Sequence, residues 1–302
     1  MTIGSLTGQA WEQIDLPRAE TGDLLVNLCN LSPLASRNSI TMMHDAQVFS
    51  TPDSYSRAFR LWYRFAQPRI GRKASRILTV SHYSAEQLVG FGITDPDKIS
   101  VVHNGVDHIL DTPPTTKTLD EYELSDRNFT VGLANTQAHK NVRVLIEAYR
   151  RPELQNQKLV LFGSADEAAF RDADLPLTNN IILVGRISDN ELRGLLERAT
   201  ALVFPSKTEG FGLPPLEAMT LGTPVICADA GALPEVCGAV PIYADPDDVD
   251  AWVAAIVELT DEDPNARTAR AMAARNHASA YTWAEAGRKL LEVVDTTLTH
   301  QD

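Results

Sequence analysis

Cysteine is scarce in this chain of 302 residues, which contains only Cys29, Cys227 and Cys237. The three form no C-x-x-C pair, and no histidines stand near them at the spacing of a zinc site, which argues against a structural zinc centre. Three cysteines in a chain of this length do not indicate a disulfide-based scaffold. We expect buried free thiols in a reducing compartment.

Long apolar runs are also missing. None approaches the roughly 20 residues that a membrane-spanning helix needs. Residues 1–10 lack the charged-then-apolar order of a signal peptide. The expected localisation is therefore cytoplasmic, either free or peripheral on the inner face of the membrane.

Basic residues are outnumbered by acidic ones. The chain has 27 Lys and Arg against 40 Asp and Glu, a formal net charge of −13. A general nucleic-acid binder carries a basic surplus, so we expect no nucleic acid among the partners. A local basic site for an anionic ligand is still compatible with this charge.

Short apolar runs alternate with helical stretches along most of the chain. Near-continuous apolar strands that alternate with helices are typical of doubly wound parallel sheets. One sheet of ten strands is possible, but two sheets are favoured because residues 111–127, rich in Pro, Thr and Asp, interrupt the pattern like a linker. The predicted strands are 24–29, 40–44, 77–80, 99–103, 129–134, 159–162, 181–184, 201–204, 224–228 and 240–243. The predicted helices include 54–67, 85–90, 142–149, 190–198, 215–221 and 283–298.

This pattern predicts the domain organisation. A first domain covers residues 1–110, the linker covers 111–127 and a second domain covers 128–280. Residues 281–302 form a C-terminal helix.

One stretch combines a strand end, a glycine-rich loop and a helix start. Residues 204–224 read FPSKTEGFGLPPLEAMTLGTP, and we expect the helix to start near Pro214 or Pro215, since proline is favoured in the first helical turn. Open α/β sheets bind ligands outside the carboxyl ends of their strands. A helix N-terminus there suits a diphosphate, and Gly210 and Gly212 would let the backbone approach it closely.

Two glutamates flank this loop. Glu209 precedes the helix, and we expect Glu217 inside its first turn, where a lone acid is often only a complement to the helix dipole. Carboxylates also bind neighbouring hydroxyls through charge-assisted hydrogen bonds. As a pair, one acid can therefore face a sugar and the other a ribose.

The sequence EGFGLPPLEAM resembles the E-x7-E signature of family 4 glycosyltransferases, which have the GT-B fold. The resemblance extends through residues 184–206 and 222–248 and covers nearly the whole chain from about Asp23 onward. It implies two Rossmann-like, doubly wound domains facing across a cleft, with the acceptor on the N-terminal side and the donor in the C-terminal domain. The C-terminal helix would pack back toward the N-terminal domain.

The N-terminal domain looks shorter than in this family, with four predicted strands. An incomplete sheet would expose an apolar edge. We therefore expect oligomerisation, or a partner that covers this sheet.

The resemblance also implies a donor site for a nucleoside-diphosphate sugar, with no cofactor and no metal. Glu209 would contact the hydroxyls of the donor sugar, and Glu217 would bind the ribose. The other donor-binding residues that it implies are the loop residues Gly210, Phe211, Gly212 and Leu213, and Arg186 and Ile187 beside the base.

Lys140 lies at the start of a predicted helix, where the helix dipole disfavours a cation. It could be a solvated lysine, but this unfavourable place supports a role in neutralising the second phosphate. The family often carries an arginine after the glycine of the preceding strand, whereas here Leu133 follows Gly132. Phosphate neutralisation would then fall to Lys140, backbone N–H groups and His139.

His44 and Asp45 end a predicted strand and resemble an H-D pair of the family. A single histidine at a strand end is more often structural, but in the family this residue lies beside the anomeric carbon of the sugar. The predicted catalytic residues are therefore His44, Lys140 and Glu209. No D-x-D-like pair stands where a metal would hold the diphosphate.

Residues 57–76 are unusually basic for so acidic a protein. Three arginines, Arg57, Arg60 and Arg64, share one helical face by their spacing, and aromatic residues lie among them. Such a helix could simply be solvated on one face. It could also lie on anionic lipid or meet a lipid-diphosphate acceptor.

Together these features predict a retaining, metal-independent glycosyltransferase. It would move a hexose, with mannose suggested by analogy, to a glycan or lipid-linked acceptor in surface polysaccharide synthesis. Two alternatives stay open: a non-catalytic nucleotide-sugar-binding partner of another transferase, and another GT-B enzyme such as a nucleotide-sugar epimerase.

Overall fold

The computed structural model of the chain describes residues 4–19, 22–36 and 38–299. The chain divides into two compact units: unit 1 takes the residues up to 104 and those from 284 onward, and unit 2 takes residues 105–283. The outer limits of the predicted domains, residues 1 and 302, lie outside the described residues. The predicted domain boundaries stay a prediction.

Unit 1 contains, within its described residues, a four-stranded parallel sheet in the order β1-β2-β3-β4. Its strands are β1 (Leu25–Asn27), β2 (Ser39–Met42), β3 (Arg76–Thr79) and β4 (Ile99–Val101). Its helices are α1 (Gly8–Ala10), α2 (Leu16–Ala19), α3 (Gln47–Ser50), α4 (Arg57–Lys73) and α5 (His82–Gly90), with a π-helical segment, Trp11–Asp15, between α1 and α2.

The core of unit 1 lies between the sheet and helix α4. Met43, Ile70 and Ile77 belong to one buried apolar cluster. Gly71 permits the close approach of α4, because a Cβ atom there would stand 1.9 Å from the carbonyl oxygen of Ile93. The opposite face of α4 is left to solvent.

Strand β1 forms one edge of this sheet, and Leu28, just beyond it, is 53% exposed. Whether a second copy or a partner covers this edge stays a prediction. The prediction of buried thiols was wrong for the neighbouring Cys29, which is exposed because it follows this edge strand, whereas Cys227 and Cys237 are buried.

Unit 2 contains, within its described residues, a six-stranded sheet in the order β10-β9-β8-β5-β6-β7, with every pairing parallel. Its strands are β5 (Phe129–Leu133), β6 (Lys158–Phe162), β7 (Ile181–Gly185), β8 (Leu202–Phe204), β9 (Val225–Ala228) and β10 (Ile242–Ala244). Its helices are α6 (His108–Asp111), α7 (Lys117–Glu121), α8 (Val142–Ala148), α9 (Glu167–Asp172), α10 (Asp189–Arg198), α11 (Leu213–Leu221), α12 (Leu233–Cys237), α13 (Val249–Thr260) and α14 (Pro264–Ala278).

The last helix, α15 (Trp283–Thr299), begins in unit 2 and belongs to unit 1 from Ala284 onward. Residues 111–127 lie in unit 2, where Lys117 pairs with Glu191 of α10 at 2.9 Å. None of the described helices is both long and apolar enough to cross a lipid bilayer.

The predicted fold class is confirmed: the described chain has two parallel sheets with helices around them, and each predicted strand is present within a few residues of its expected limits. Helices α13 and α14 were not among those predicted. Residues 261–263 separate these two helices, and the Asp263 carboxylate accepts hydrogen bonds from the amides of Asn265 and Ala266 at the start of α14.

A buried hydroxyl pair ties helix α8 to the centre of the unit 2 sheet. The hydroxyls of Thr130, on β5, and Tyr149, just after α8, lie 2.6 Å apart and both residues are buried. Burial raises the pKa of Tyr149 far above its usual value, so the phenol stays protonated.

Replacing Tyr149 with Phe should lower the free energy of unfolding by about 1–3 kcal/mol, because Thr130 loses its buried partner. Chemical denaturation measures the change. Tyr122→Phe, at a partly exposed tyrosine, is the control and should change stability little; equal losses in the two variants would contradict the role given to the buried pair.

Candidate functional site

The strand order of unit 2 reverses between β5 and β8. Val131 of β5 pairs with Leu202 of β8, while β6 and β7 extend the sheet on one side and β9 and β10 on the other. Open parallel sheets bind ligands at such a switch point, outside the carboxyl ends of the strands. The loops after β5 and β8 meet there.

Hydrogen bonds join these loops directly. The amide of Lys207 donates to the carbonyl oxygen of His139 at 2.8 Å. The side chain of Asn141 donates to the carbonyls of Pro205 at 3.2 Å and Pro246 at 2.7 Å. Three loops of the sheet, those after β5, β8 and β10, are therefore held together at one place.

Asn141 was missed as a site residue by sequence reasoning. Its φ of +55° lies in the left-handed region, which asparagine tolerates better than most residues. An asparagine immediately before the predicted helix at 142–149 was a local signal of a special backbone position. Nothing local indicated that its side chain reaches two other loops.

The central contact of the site is an ion pair between two predicted catalytic residues. The ammonium Nζ of Lys140 lies 2.7 Å from Oε1 of Glu209, and their side chains are only 18% and 11% exposed. Charge-assisted hydrogen bonds of this kind are strong. Removing either partner would leave a largely buried charge unpaired.

The glycine-rich loop turns sharply into α11. Gly212 precedes the helix with φ +103°, and a Cβ atom there would stand 2.7 Å from Cδ2 of Leu233, so only glycine fits this turn without strain. The helix begins at Leu213, a residue or two before the predicted start. Pro214 and Pro215 have no N–H group and the amide of Leu216 donates to the carbonyl of Gly212 at 3.4 Å, so Leu213 supplies the amide that the start of this helix can offer to an anion.

Phe211 faces into unit 2. It is buried, and its ring meets that of Tyr281 edge-on with centroids 5.9 Å apart. Leu213, by contrast, is partly exposed at the helix start. The packing of Phe211 against Tyr281 therefore anchors the loop on its buried side.

The prediction that Glu217 lies in the first turn of α11 was wrong, because the helix begins earlier, at Leu213, and places Glu217 in its second turn. A dipole role falls off beyond the first turn, so that structural explanation no longer applies. Glu217 instead lies 3.2 Å from Nε2 of His108. Burial raises the pKa of Glu217, with Asp189 adding to this and His108 opposing it.

Arg186 and Ile187 follow β7, the outermost strand on one side of the unit 2 sheet. A cavity of about 370 Å³ opens there at the carboxyl ends of β6 and β7, lined by Gly163, Ser164 and Arg186 among others. Its position beyond the strand ends is compatible with a ligand, and the assignment of Arg186 and Ile187 to a base stays a prediction.

His139 is buried, and burial together with the Lys140 ammonium lowers its pKa to about 4. Its ring is therefore neutral at pH 7. His139 therefore contributes no positive charge at pH 7, whereas the adjacent Lys140 carries the ammonium of the ion pair.

His44 lies in unit 1, after strand β2. Its Nε2 lies 3.2 Å from the carbonyl oxygen of Leu28, and its amide donates to Oδ1 of Asn30 at 2.7 Å. The first contact orients the ring, and the second fixes the backbone that carries it. The catalytic assignment of His44 stays a prediction.

Acidic, histidine and cysteine side chains do not gather into a group of three or more that could hold a metal ion anywhere in the part of the chain that the structure describes. The carboxylates Glu209 and Glu217 are each paired with a nitrogen instead.

Two parallel α/β units, one of which presents a helix start and an ion pair at its switch point, define a doubly wound α/β protein. The chain belongs to the group 1 glycosyl transferases: the profile of that family matches residues 115–277. The profile of Glycosyltransferase Family 4 matches residues 26–109.

Among curated relatives, the chain is 30% identical over 226 residues to the O-antigen chain mannosyltransferase RfbU of Salmonella typhimurium, covering 74% of this chain and 61% of that protein. It is 28% identical over 263 residues to the O-antigen chain mannosyltransferase B of Escherichia coli, covering 83% and 68%. The chain thus spans about three fifths to two thirds of these relatives.

Among solved structures, HepE of Anabaena in complex with UDP-glucose superposes with a TM-score of 0.71 at 20% identity, covering 85% of this chain and 72% of that one. This likeness shows that the fold is shared.

Lowering the pH from 6.5 toward 4 should destabilise the protein through His139. The unfolded histidine takes up a proton near pH 6.5, whereas the folded one does so only near pH 4, so the unfolded state binds more protons in this window. The free energy of unfolding of the wild type should therefore fall more steeply than that of His139→Gln. Urea unfolding at pH 7 and pH 5 measures both; parallel pH dependence would contradict the burial of a neutral ring.

Proposed function

We propose that the chain is a retaining, metal-independent glycosyltransferase whose unit 2 binds a nucleoside-diphosphate sugar. The hexose is passed to a glycan or lipid-linked acceptor in surface polysaccharide synthesis. The observation that carries this proposal is the Lys140–Glu209 pair beside the start of α11, at the switch point of the parallel sheet. Family membership supports it.

Each side chain of the site has a proposed role. Lys140 and the backbone N–H groups of Gly212 and Leu213 bind the diphosphate. Glu209 accepts hydrogen bonds from the sugar hydroxyls, and Glu217 accepts them from the ribose. Arg186 and Ile187, after strand β7, lie beside the base.

The diphosphate and Glu209 share Lys140 in this arrangement. Lys140 has three ammonium protons, so it can keep its bond to Glu209 while it donates to a phosphate oxygen. The ion pair would then fix the ammonium in advance. Preorganised charge of this kind lowers the barrier without reorganisation at the moment of reaction.

The proposed reaction breaks the bond between the anomeric carbon and the leaving phosphate oxygen. The acceptor oxygen forms its bond on the same face of the sugar, and its proton passes to the leaving phosphate. Lys140 and the backbone N–H groups of Gly212 and Leu213 stabilise the negative charge on the departing nucleoside diphosphate. His44 is proposed to act beside the anomeric carbon.

The names of the relatives bear on the sugar and the base of the donor. RfbU and the Escherichia coli relative are named as mannosyltransferases, which favours mannose from GDP-mannose. The HepE structure contains UDP-glucose, which makes a uridine nucleotide the second candidate. Both nucleotides present the same diphosphate to Lys140.

Calorimetric titration of GDP, UDP and ADP in the presence of EDTA tests the donor site. We expect one nucleotide to bind, GDP first among them, and Lys140→Met to weaken it by about 10- to 100-fold, since a hydrogen bond to a charged group contributes about 1.5–3 kcal/mol. The affinity for the corresponding nucleoside monophosphate should fall less in this variant, because that ligand lacks the second phosphate.

Lys158→Met is the matched control: Lys158 starts strand β6 and donates to the carbonyl of Glu123, so it lies at the amino end of the sheet. It should bind nucleotide like the wild type. Binding by none of the three nucleotides, or unchanged binding in Lys140→Met, would refute the proposed site.

The alternative functions differ in their products. A non-catalytic partner protein would bind the nucleotide sugar and leave it intact in the presence of acceptor lipid. An epimerase would change the sugar without needing an acceptor. Incubation with radiolabelled GDP-mannose or UDP-glucose and a lipid-linked acceptor fraction should instead release nucleoside diphosphate and label the acceptor.

A contact with anionic membrane lipid is the second part of the proposal, and the exposed face of α4 carries it. Leu61 and Phe65 on this face are 70% and 45% exposed. Arg57, Arg64 and Arg72 are exposed near them. Apolar and cationic side chains on one face suit the interface of an anionic bilayer, which attracts this helix although the protein carries a net charge of −13.

Vesicle flotation tests this contact. The protein should float with phosphatidylcholine vesicles that contain phosphatidylglycerol, and less with vesicles of phosphatidylcholine alone. Leu61→Ser with Phe65→Ser should weaken binding at least tenfold, because burying one such side chain contributes about 1.5–3 kcal/mol. Met272→Ser with Leu291→Ser, at two equally exposed apolar residues of α14 and α15, is the control; equal losses in the two double variants, or equal flotation with both vesicles, would contradict the proposal.

A further inference from the structure

Two short segments of unit 2, residues 105–108 and 281–283, are fastened to each other. The amide of Val106 donates to the carbonyl of Tyr281 at 3.0 Å, and the amide of Trp283 donates to Oδ1 of Asp107 at 2.8 Å. At Gly105 a Cβ atom would stand 2.2 Å from the backbone nitrogen of Trp283. These contacts fix the indole of Trp283 relative to the side chain of His108.

Two further contacts connect Trp283 through His108 to Glu217 of the proposed donor site. The indole N–H of Trp283 donates to Nδ1 of His108 at 3.2 Å. On the other side of the ring, Nε2 of His108 lies 3.2 Å from Oε1 of Glu217. Indole nitrogen is a donor only, so Nδ1 must accept and the single proton of a neutral ring must lie on Nε2, facing Glu217.

Helix α10 anchors the backbone that follows His108. The guanidinium of Arg193 donates to the carbonyls of Ile109, Leu110 and Thr112 at 3.2, 2.9 and 2.7 Å. The short helix α6, which His108 begins, is therefore anchored at its far end as well. A ring held in this way has little freedom to turn away from Glu217.

We propose that His108 is a positioning residue for nucleotide binding, which orients the Glu217 carboxylate toward the ribose of the donor, and that Trp283 sets the tautomer that it uses. This inference rests on the proposed function. A carboxylate has two oxygens and about four acceptor sites, so the bond from His108 to Oε1 leaves capacity for two ribose hydroxyls. Without His108, the carboxylate would lose its orientation while the diphosphate contacts at Lys140 persist.

The role of His108 can be measured as hydroxyl discrimination, which is the ratio of the affinity for a nucleotide to the affinity for its 2′,3′-dideoxy form. Wild-type protein should bind GDP about 10- to 100-fold more tightly than 2′,3′-dideoxy-GDP, as expected for hydrogen bonds to a charged acceptor; UDP and ADP are measured with their dideoxy counterparts in the same way. The ratio should fall toward 1 in Glu217→Ala and in His108→Leu, with dideoxynucleotide binding unchanged. His108→Gln should keep most of the ratio, because its amide can donate to Glu217 and accept from Trp283.

Nitrogen-15 NMR of the imidazoles tests the tautomer independently of any nucleotide. The His108 signal, assigned by its loss in His108→Gln, should show a neutral ring protonated at Nε2 at pH 8, and Trp283→Phe should shift it toward a mixture of tautomers. An Nδ1-protonated ring in the wild type would overturn the inference.

The outcomes separate this inference from the proposed function. Nucleotide binding by the wild type, with the same hydroxyl discrimination in His108→Leu, would overturn the role of His108 and leave the donor site standing. Weaker binding of GDP and dideoxy-GDP by the same factor would show a merely structural role and would also overturn it. Binding of no nucleotide by the wild type would overturn both.

Discussion

The site depends on one constraint, which is that parallel strands present all their carboxyl ends at the same edge of a sheet. In unit 2 the central strands β5 and β8 are neighbours although two further strands separate them in the chain. The loops that follow them must therefore meet. This brings the ammonium of Lys140 to within hydrogen-bonding distance of Glu209, although the two residues stand 69 positions apart.

Electrostatic pairing then holds the charged groups at the carboxyl ends of these strands in place. Lys140 and Glu209 are both largely buried, and a buried charge without a partner is costly. Each stabilises the other in the geometry that a diphosphate and a sugar would need. In a protein with a net charge of −13, this fixed ammonium and the start of α11 give the switch point a locally favourable field for an anion.

The two glutamates of the E-x7-E motif have different environments. Glu209 lies in the loop and pairs with a lysine from the loop after β5, whereas Glu217 lies one turn into α11 and pairs with His108 from the segment that enters unit 2. Neither partner belongs to the motif. A signature along the chain therefore identifies the acids, and the surrounding fold gives each acid its partner.

The sequence by itself determined the ten strands, their division between two parallel sheets and the loop-to-helix turn at Gly212, because apolar periodicity, glycine and proline act over a few residues. It did not determine that Cys29 is exposed, that α11 starts early enough to place Glu217 in its second turn, or that His139 is neutral. Nor did it show that Asn141 joins three loops or that Trp283 and His108 reach Glu217. Those features were decided by the tertiary structure, because they depend on which strands become neighbours and on how far each side chain is removed from water.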